Sequence, residues 1–292
     1  MIKHTPDGFH AEGEAVLITG CSSGIGRATA LRLAQHGFNV LATLRKEADA
    51  ESLHGYHVPN LIPICPLDLT NLKQITITAE TVAGELERLG QTGLYALINN
   101  AGAGRVAPIE LMDLEQFRVE LHARVLGAVA MVQAFLPMIR RVNGRILWIT
   151  TPGAIPTPYV TSIHACDFAV NCIVRTLAIE LKPWNIPTIM IRCGGIKTPA
   201  GLKTTTDVEA LLKKEPDAPI PPYENALRKW GREMAGFDEK RTEAGKVADL
   251  ILNVLGTKSP KPRYSIGYMA TAAAFLEALP PPVADWILEM HF

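Results

Sequence analysis

Short apolar runs separated by longer amphipathic stretches set the pattern of this chain of 292 residues. Ala15–Thr19 (AVLIT), Phe38–Thr43 (FNVLAT), Leu61–Cys65 (LIPIC), Leu94–Ile98 (LYALI), Gly144–Ile149 (GRILWI) and Ile186–Ile191 (IPTIMI) are too short for helices and read as strands. RATALRLAQHG after the first run, residues 71–90, 113–141, about 160–181 and 242–256 carry apolar residues at helical spacing. Strand and helix alternate, which predicts an α/β fold with a doubly wound parallel sheet and a ligand crevice at the carboxyl ends of its strands. The two long middle helices are apolar on more than one face, through Val125, Leu126, Val129, Met131, Val132 and Phe135 on one and Val170, Ile173, Val174 and Leu177 on the other. Such helices are covered on both sides.

Composition narrows the possibilities. Apolar residues make up 48% of the chain and the formal net charge is zero, so a large core is expected and there is no electrostatic reason to expect nucleic acid or an anionic membrane as partner. No long Pro/Gly/Ser-rich linker or charge run occurs before residue 199, and a single domain over residues 1–292 is expected. Cys21, Cys65, Cys166, Cys172 and Cys193 are scattered without metal spacing, so no metal site is expected and a reducing compartment is the default. The N-terminus lacks the apolar core of a signal peptide, and Val125–Ile139 falls short of the ~20 residues of a membrane span. The expected location is the cytosol.

Chemistry enters at the first strand. It runs into Gly20-Cys21-Ser22-Ser23-Gly24-Ile25-Gly26 and then a helix, an arrangement in which glycines admit a pyrophosphate to the backbone and the helix N-terminus holds its charge. The spacing G-x-x-x-G-x-G after a threonine resembles the short-chain dehydrogenase/reductase family, a Rossmann-type fold of about seven strands. The resemblance implies that Gly20, Ser22, Ser23, Gly24, Ile25 and Gly26 hold the pyrophosphate. It also implies that Asp68, in Leu67-Asp68-Leu69-Thr70, meets the adenine, and that Asn99-Asn100-Ala101-Gly102 is the family's N-N-A-G, giving Asn99, Ala101 and Gly102 to the cofactor side. A capping role for Asp68 or Thr70 is compatible with this. Arg45 and Lys46 after the second strand suit a 2′-phosphate and point to NADP(H). Arg192-Cys193-Gly194-Gly195-Ile196-Lys197-Thr198-Pro199 resembles the loop that receives the nicotinamide carboxamide, assigning Gly194, Ile196 and Thr198. Arg263–Gly267 resembles the family's last edge strand.

The stretch from Thr150 to Asp167 departs from the pattern. Arg124 replaces the family's catalytic Asn at the head of Arg124-Val-Leu-Gly127, and Thr150-Thr151 stand where serines are usual, so Thr151 is a candidate to orient substrate. Aligned from Phe168-Ala169 onward, the family's Y-x-x-x-K falls on Ile163 and Asp167, which removes its proton relay. Tyr159, His164 and, less strongly, His122 are the nearby groups able to exchange a proton. Three functions stay open: a reductase of a hydrophobic iminium or activated alkene, with Asp167 stabilising a cation; a non-redox cyclase or isomerase with a structural nucleotide, using Arg124, Asp167 and His164; and a cofactor-binding pseudoenzyme in which Arg124 and Asp167 only pair. Fungal bifunctional reductase/Diels–Alder cyclases of this fold resemble the first two. Residues 199–240 read as a substrate lid with short helices at Glu209–Lys214 and Glu224–Met234, where Tyr223 and Trp230 face a ligand or pack the lid. The tail AAAFLEALPPPVADWILEMHF covers the site mouth or a subunit contact. The resemblance implies a homodimer or homotetramer through the two middle helices.

Overall fold

A computed structural model describes residues 13–102, 104–152, 155–201 and 221–291. Its strands are β1 (Ala15–Ile18), β2 (Asn39–Thr43), β3 (Leu61–Ile64), β4 (Ala96–Asn99), β5 (Arg145–Thr150), β6 (Thr188–Cys193), β7 (Ile196–Lys197), β8 (Thr242–Glu243) and β9 (Arg263–Ile266). The helices are α1 (Gly24–Gln35), α2 (Glu47–His54), α3 (Leu72–Arg88), α4 (Leu114–Leu121), α5 (Ala128–Arg141), α6 (Thr161–Glu180), α7 (Pro221–Glu239), α8 (Ala244–Leu255), α9 (Ala270–Glu277) and α10 (Pro281–His291). Seven strands form one parallel sheet in the order β3-β2-β1-β4-β5-β6-β9, a Rossmann-type sheet flanked by helices. Order reverses between β1 and β4, the switch point at which such sheets open a crevice. All four residues of β1 are buried, because a parallel strand covered on both faces has no polar side.

Several elements differ from the sequence expectation. The helix expected over 113–141 is α4 and α5 joined by a π-helical turn at His122–Gly127. Gly127 ends that turn where a Cβ would stand 2.4 Å from the Leu69 carbonyl, so only glycine allows the helix to lie this close. Thr242 and Glu243 pair as β8 with β7, Ile196 against Thr242, and the expected helix follows directly from Ala244 with Glu243 as its N-cap. The expected lid helix at 224–234 lies within the longer α7, whereas Glu209–Lys214 falls outside the described residues. Asn71, not Asp68 or Thr70, caps α3, its side chain accepting from the amides of Lys73 and Gln74. Two helical stretches, Leu114–Arg141 and Thr161–Glu180, are long and apolar enough to cross a membrane, more than Val125–Ile139 alone suggested. Both flank the sheet, with Met131 and Phe135 of α5 fully buried.

One buried cation closes the far end of the sheet. Arg145 opens β5, and its Nη1 donates to the carbonyls of Val254 (3.1 Å), Leu255 (3.1 Å) and Thr257 (3.0 Å), at and just beyond the end of α8, where the helix dipole favours a cation. Its guanidinium lies 4.8 Å from the ring centroid of Tyr95, whose hydroxyl donates to the Leu255 carbonyl at 2.5 Å. Replacing Arg145 by Met retains the aliphatic stem and removes all three bonds. The expected loss is about 2–4 kcal/mol in urea unfolding, since each bond to a charged donor contributes roughly 1.5–3 kcal/mol and some carbonyls regain water.

Candidate active site

The carboxyl ends of β1, β4 and β6 bring most of the expected cofactor residues together. Thr19 Oγ1 accepts from the amides of Asn100 (2.9 Å) and Ala101 (3.0 Å), and Asn100 Nδ2 donates to the carbonyls of Thr19 (2.8 Å) and Gly20 (3.1 Å). The β1 turn is therefore fastened to the end of β4. A Cβ on Gly20 would stand 2.8 Å from Ala101 Cα, and one on Gly26 2.2 Å from the Gly20 carbonyl, so this fastening requires both glycines. Ser22 accepts from Arg27 Nη2 through its carbonyl. Ser23, exposed at the head of α1, makes no side-chain cap bond, and the first-turn amides are left for an anion. Ile25 packs on the core behind them. Gly24 (φ +57°) faces Thr198, 3.1 Å from the place a Cβ would take to Thr198 Cγ2, which brings the β6 loop against the glycine turn. Gly194 packs on the Tyr268 carbonyl and Ile196 is buried in β7, behind that loop. Ala101 is half-buried and Gly102 exposed at the crevice. These groups fit a dinucleotide: a glycine turn, an open helix N-terminus and a threonine loop facing it.

At the end of β2, Arg45 is exposed. Asp68 accepts through Oδ1 from the Thr70 amide (2.9 Å) and hydroxyl (2.7 Å). Burial pushes the Asp68 carboxyl upward, but these bonds and the charges of Arg45 and His122 hold it below its ordinary value. His122 thus lies on the Asp68 side.

The Arg124–Asp167 contact is built on the π-helical turn. Widening the helix there places Arg124 opposite α6, where Arg124 Nη2 donates to Asp167 Oδ1 at 2.7 Å. The Thr151 amide donates to Asp167 Oδ2 at 3.1 Å, so both carboxylate oxygens are engaged. The Asp167 side chain is 6% exposed and that of Arg124 15%. Burial alone would make Arg124 easier to deprotonate; the charge and hydrogen bond of Asp167, together with Cys166 and Glu120, outweigh it and hold the guanidinium charged. Thr151 Oγ1 is buried without a protein partner among the described residues. Ile163 packs on Gly104, where a Cβ would meet Ile163 Cγ1 at 2.0 Å. His164 Nδ1 lies 2.7 Å from the Ile155 carbonyl, and because a carbonyl only accepts, Nδ1 is the donor in this contact. Tyr159, in a left-handed conformation (φ +68°), stacks edge-on against Trp230 of α7 with centroids 6.0 Å apart. Trp230 and Tyr223 both pack into that lid cluster, with Val106 and Leu227.

Three residues of this region went unnoticed in the sequence. Glu120 sits one helical turn before Arg124 with Oε2 buried; burial raises its pKa, against the opposing hydrogen bond of Ser162 and the charge of Arg124. Its i, i+4 spacing from Arg124 was the available signal. The Cys166 thiol beside the ion pair is pushed up to about 11 by burial. Trp148 of β5 is buried behind the pair, beside Asn99, which the sequence had already placed on the cofactor side.

Removing one member of a buried pair strands the other charge, whereas replacing both can be nearly neutral. Asp167→Leu is expected to lower stability by about 3–5 kcal/mol in urea unfolding. The double variant Arg124→Met/Asp167→Leu is expected to regain most of that loss.

Residues 14–209 match the short chain dehydrogenase family. The 3-amino-tetrahydro-pyrrolizinone reductase of Xenorhabdus hominickii is 28% identical over 87% of this chain and 87% of its own length. Human 17-beta-hydroxysteroid dehydrogenase type 1 is 30% identical over 94% of this chain and 84% of its own. A solved short-chain dehydrogenase from Streptomyces avermitilis shares the fold with a TM-score of 0.75 at 22% identity, covering 95% of this chain and 97% of that one. A short chain dehydrogenase from Burkholderia cenocepacia, solved with NADP, shares it at a TM-score of 0.72 and 22% identity, over 96% and 98%. The fastened glycine turn, the seven-stranded order and these likenesses agree: the chain belongs to the short-chain dehydrogenase family.

Proposed function

We infer that the protein is an NADP(H)-dependent reductase of a hydrophobic small molecule, and that its substrate is an iminium ion or similarly activated double bond. The observation that carries this is the contrast between a complete dinucleotide cradle and a centre in which Ile163 and the closed Arg124–Asp167 pair stand where the family's proton relay is expected. The bound dinucleotide would supply hydride. An iminium carbon takes hydride and becomes an amine with no proton required on a heteroatom, so a centre without a relay suffices for it.

The chain's own residues would do the rest. Ser23 and the α1 N-terminus would hold the pyrophosphate, Arg45 the 2′-phosphate, and Thr198 with the Gly194 loop the carboxamide. Asp167 keeps lone pairs beyond the two bonds it accepts, and its oxygens, fixed by Arg124 and the Thr151 amide, would orient a cationic substrate rather than attract it by net charge. Relatives named for a pyrrolizinone and for hydroxysteroids support a hydrophobic, and in one case nitrogen-containing, substrate. The exposed apolar groove between α5 and α6, lined by Val132, Leu136, Ile173 and Leu177, supports a homodimer through these helices. Because the pair also satisfies itself, a cofactor-binding protein without turnover is the second reading.

Purified protein with NADPH and cyclic iminium substrates is expected to consume one NADPH per amine formed, followed by absorbance and product analysis. Product without NADPH consumption would overturn the reductase reading, and NADPH binding with no turnover across the panel would favour the second. Arg45→Glu is expected to weaken NADPH binding about tenfold or more while leaving NADH nearly unchanged, as a single charge-assisted phosphate contact implies. Equal effects on both nucleotides, measured by titration, would remove Arg45 from the 2′-phosphate site.

A further inference from the structure

Behind the ion pair lies a cavity of about 30 Å³ lined by Asn99, Ala101, Arg124, Trp148 and Asp167. Three of these residues bring polar atoms that are buried and have no protein partner among the described residues: Asn99 Oδ1 and Nδ2, Arg124 Nε and Trp148 Nε1. Asn99 is 6% exposed and Trp148 2%, so bulk solvent does not reach them. Buried polar atoms in folded proteins are almost always hydrogen-bonded, and four such atoms around one cavity is a concentration that calls for a common partner.

We propose that this cavity is a built internal hydration site, in which an ordered water joins Arg124 Nε, Trp148 Nε1 and the Asn99 amide and so fixes the guanidinium that pairs with Asp167. Size, charge and hydrogen-bond inventory select water. The volume admits about one or two water molecules and nothing much larger. An anion is opposed by the Asp167 carboxylate on the same wall and a cation by Arg124, leaving a neutral dipole. A water oxygen accepts two bonds, matching the two N–H donors that have no other role here, Arg124 Nε and Trp148 Nε1; its own hydrogens then serve Asn99 Oδ1. A second water would meet Asn99 Nδ2.

This water would hold Arg124 by its third side. Nη2 is committed to Asp167, and Nη1 packs against Gly102, where a Cβ would stand 2.9 Å away. Only Nε remains, and fixing it removes the last rotation by which the guanidinium leaves the carboxylate. The site belongs to this chain's own combination of Trp148 and Arg124 and stands whichever chemistry the centre performs.

The test is water-selective nuclear Overhauser spectroscopy on the full-length, 15N-labelled protein. A long-lived internal water gives a negative cross-peak from the water resonance to the Trp148 indole proton and to the Arg124 Nε proton. The indole signal is assigned by its disappearance in Trp148→Phe; should that variant not fold, Trp184→Phe, Trp230→Phe and Trp286→Phe assign it by elimination. The expected result is the negative peak at both protons, retained with NADPH bound. A narrow, exchange-protected indole signal without the peak would overturn the proposal. So would a crystal structure in which the Asn99 amide bonds directly to Trp148 Nε1 across a collapsed cavity.

Discussion

A guanidinium and a carboxylate facing each other at 2.7 Å inside the protein hold the functional end of this fold together. Taking either charge out of water costs several kcal/mol, and their attraction offsets this only when geometry is good and the remaining hydrogen-bonding positions are filled. The fold supplies the geometry from three directions. The π-helical turn at His122–Gly127 directs Arg124, α6 carries Asp167, and the chain leaving β5 brings the Thr151 amide to the second oxygen. Loosening any one of them exposes an uncompensated charge, so the helix defect, the α6 register and the β5 loop are mutually required.

The lid and tail are tied to the same end of the sheet by different forces. Tyr159, Val106, Leu227 and Trp230 form a small apolar cluster that seats α7 on the loops beside α6. Arg192, buried at the end of β6, is bound by Glu277 of α9, so the tail is held by an ion pair beside the crevice. Phe275, Trp286 and Met290 remain exposed on it. The tail's apolar character thus goes partly outward, whereas the lid's goes inward.

Much of the sheet was legible because buried parallel strands leave short apolar runs bounded by turns, and β1 with its glycine turn carries its ligand chemistry in its spacing. The Arg124–Asp167 contact was legible too: residues aligned with a helix–helix pair of known spacing fall opposite each other once the register is fixed by Phe168-Ala169. The π-helical turn was not, since a single widened turn changes which carbonyl each amide meets without changing the apolar period. Glu120 had a signal in its i, i+4 spacing from Arg124, but its burial beside Ser162 follows from the packing of α4 on α6. The β7–β8 pair, two residues on each side, is too short to show alternation. Asp68 looked like a cap from its position, but its carboxylate closes on Thr70 while Asn71 reaches the helix amides.

The pairing of Arg124 with Asp167 has a consequence for chemistry that neither residue carries alone. In a centre with a lysine beside a tyrosine, the local charge is positive and the proton is mobile. Arg124 and Asp167 together are neutral, and the arginine does not release its proton at any pH the protein survives. On the proposed reading, a substrate held there would meet a fixed dipole with its negative end at Asp167 rather than an acid. Fixed dipoles favour transition states whose charge they were oriented for in advance and do little for a developing alkoxide, which needs a proton or a positive partner. In the proposed reduction of a cation positive charge would disperse as the reaction proceeds, so the dipole would have to orient such a substrate without holding it too tightly. A neutral pair with both carboxylate oxygens already engaged meets that condition better than a bare carboxylate, which would stabilise the cationic ground state more than the transition state.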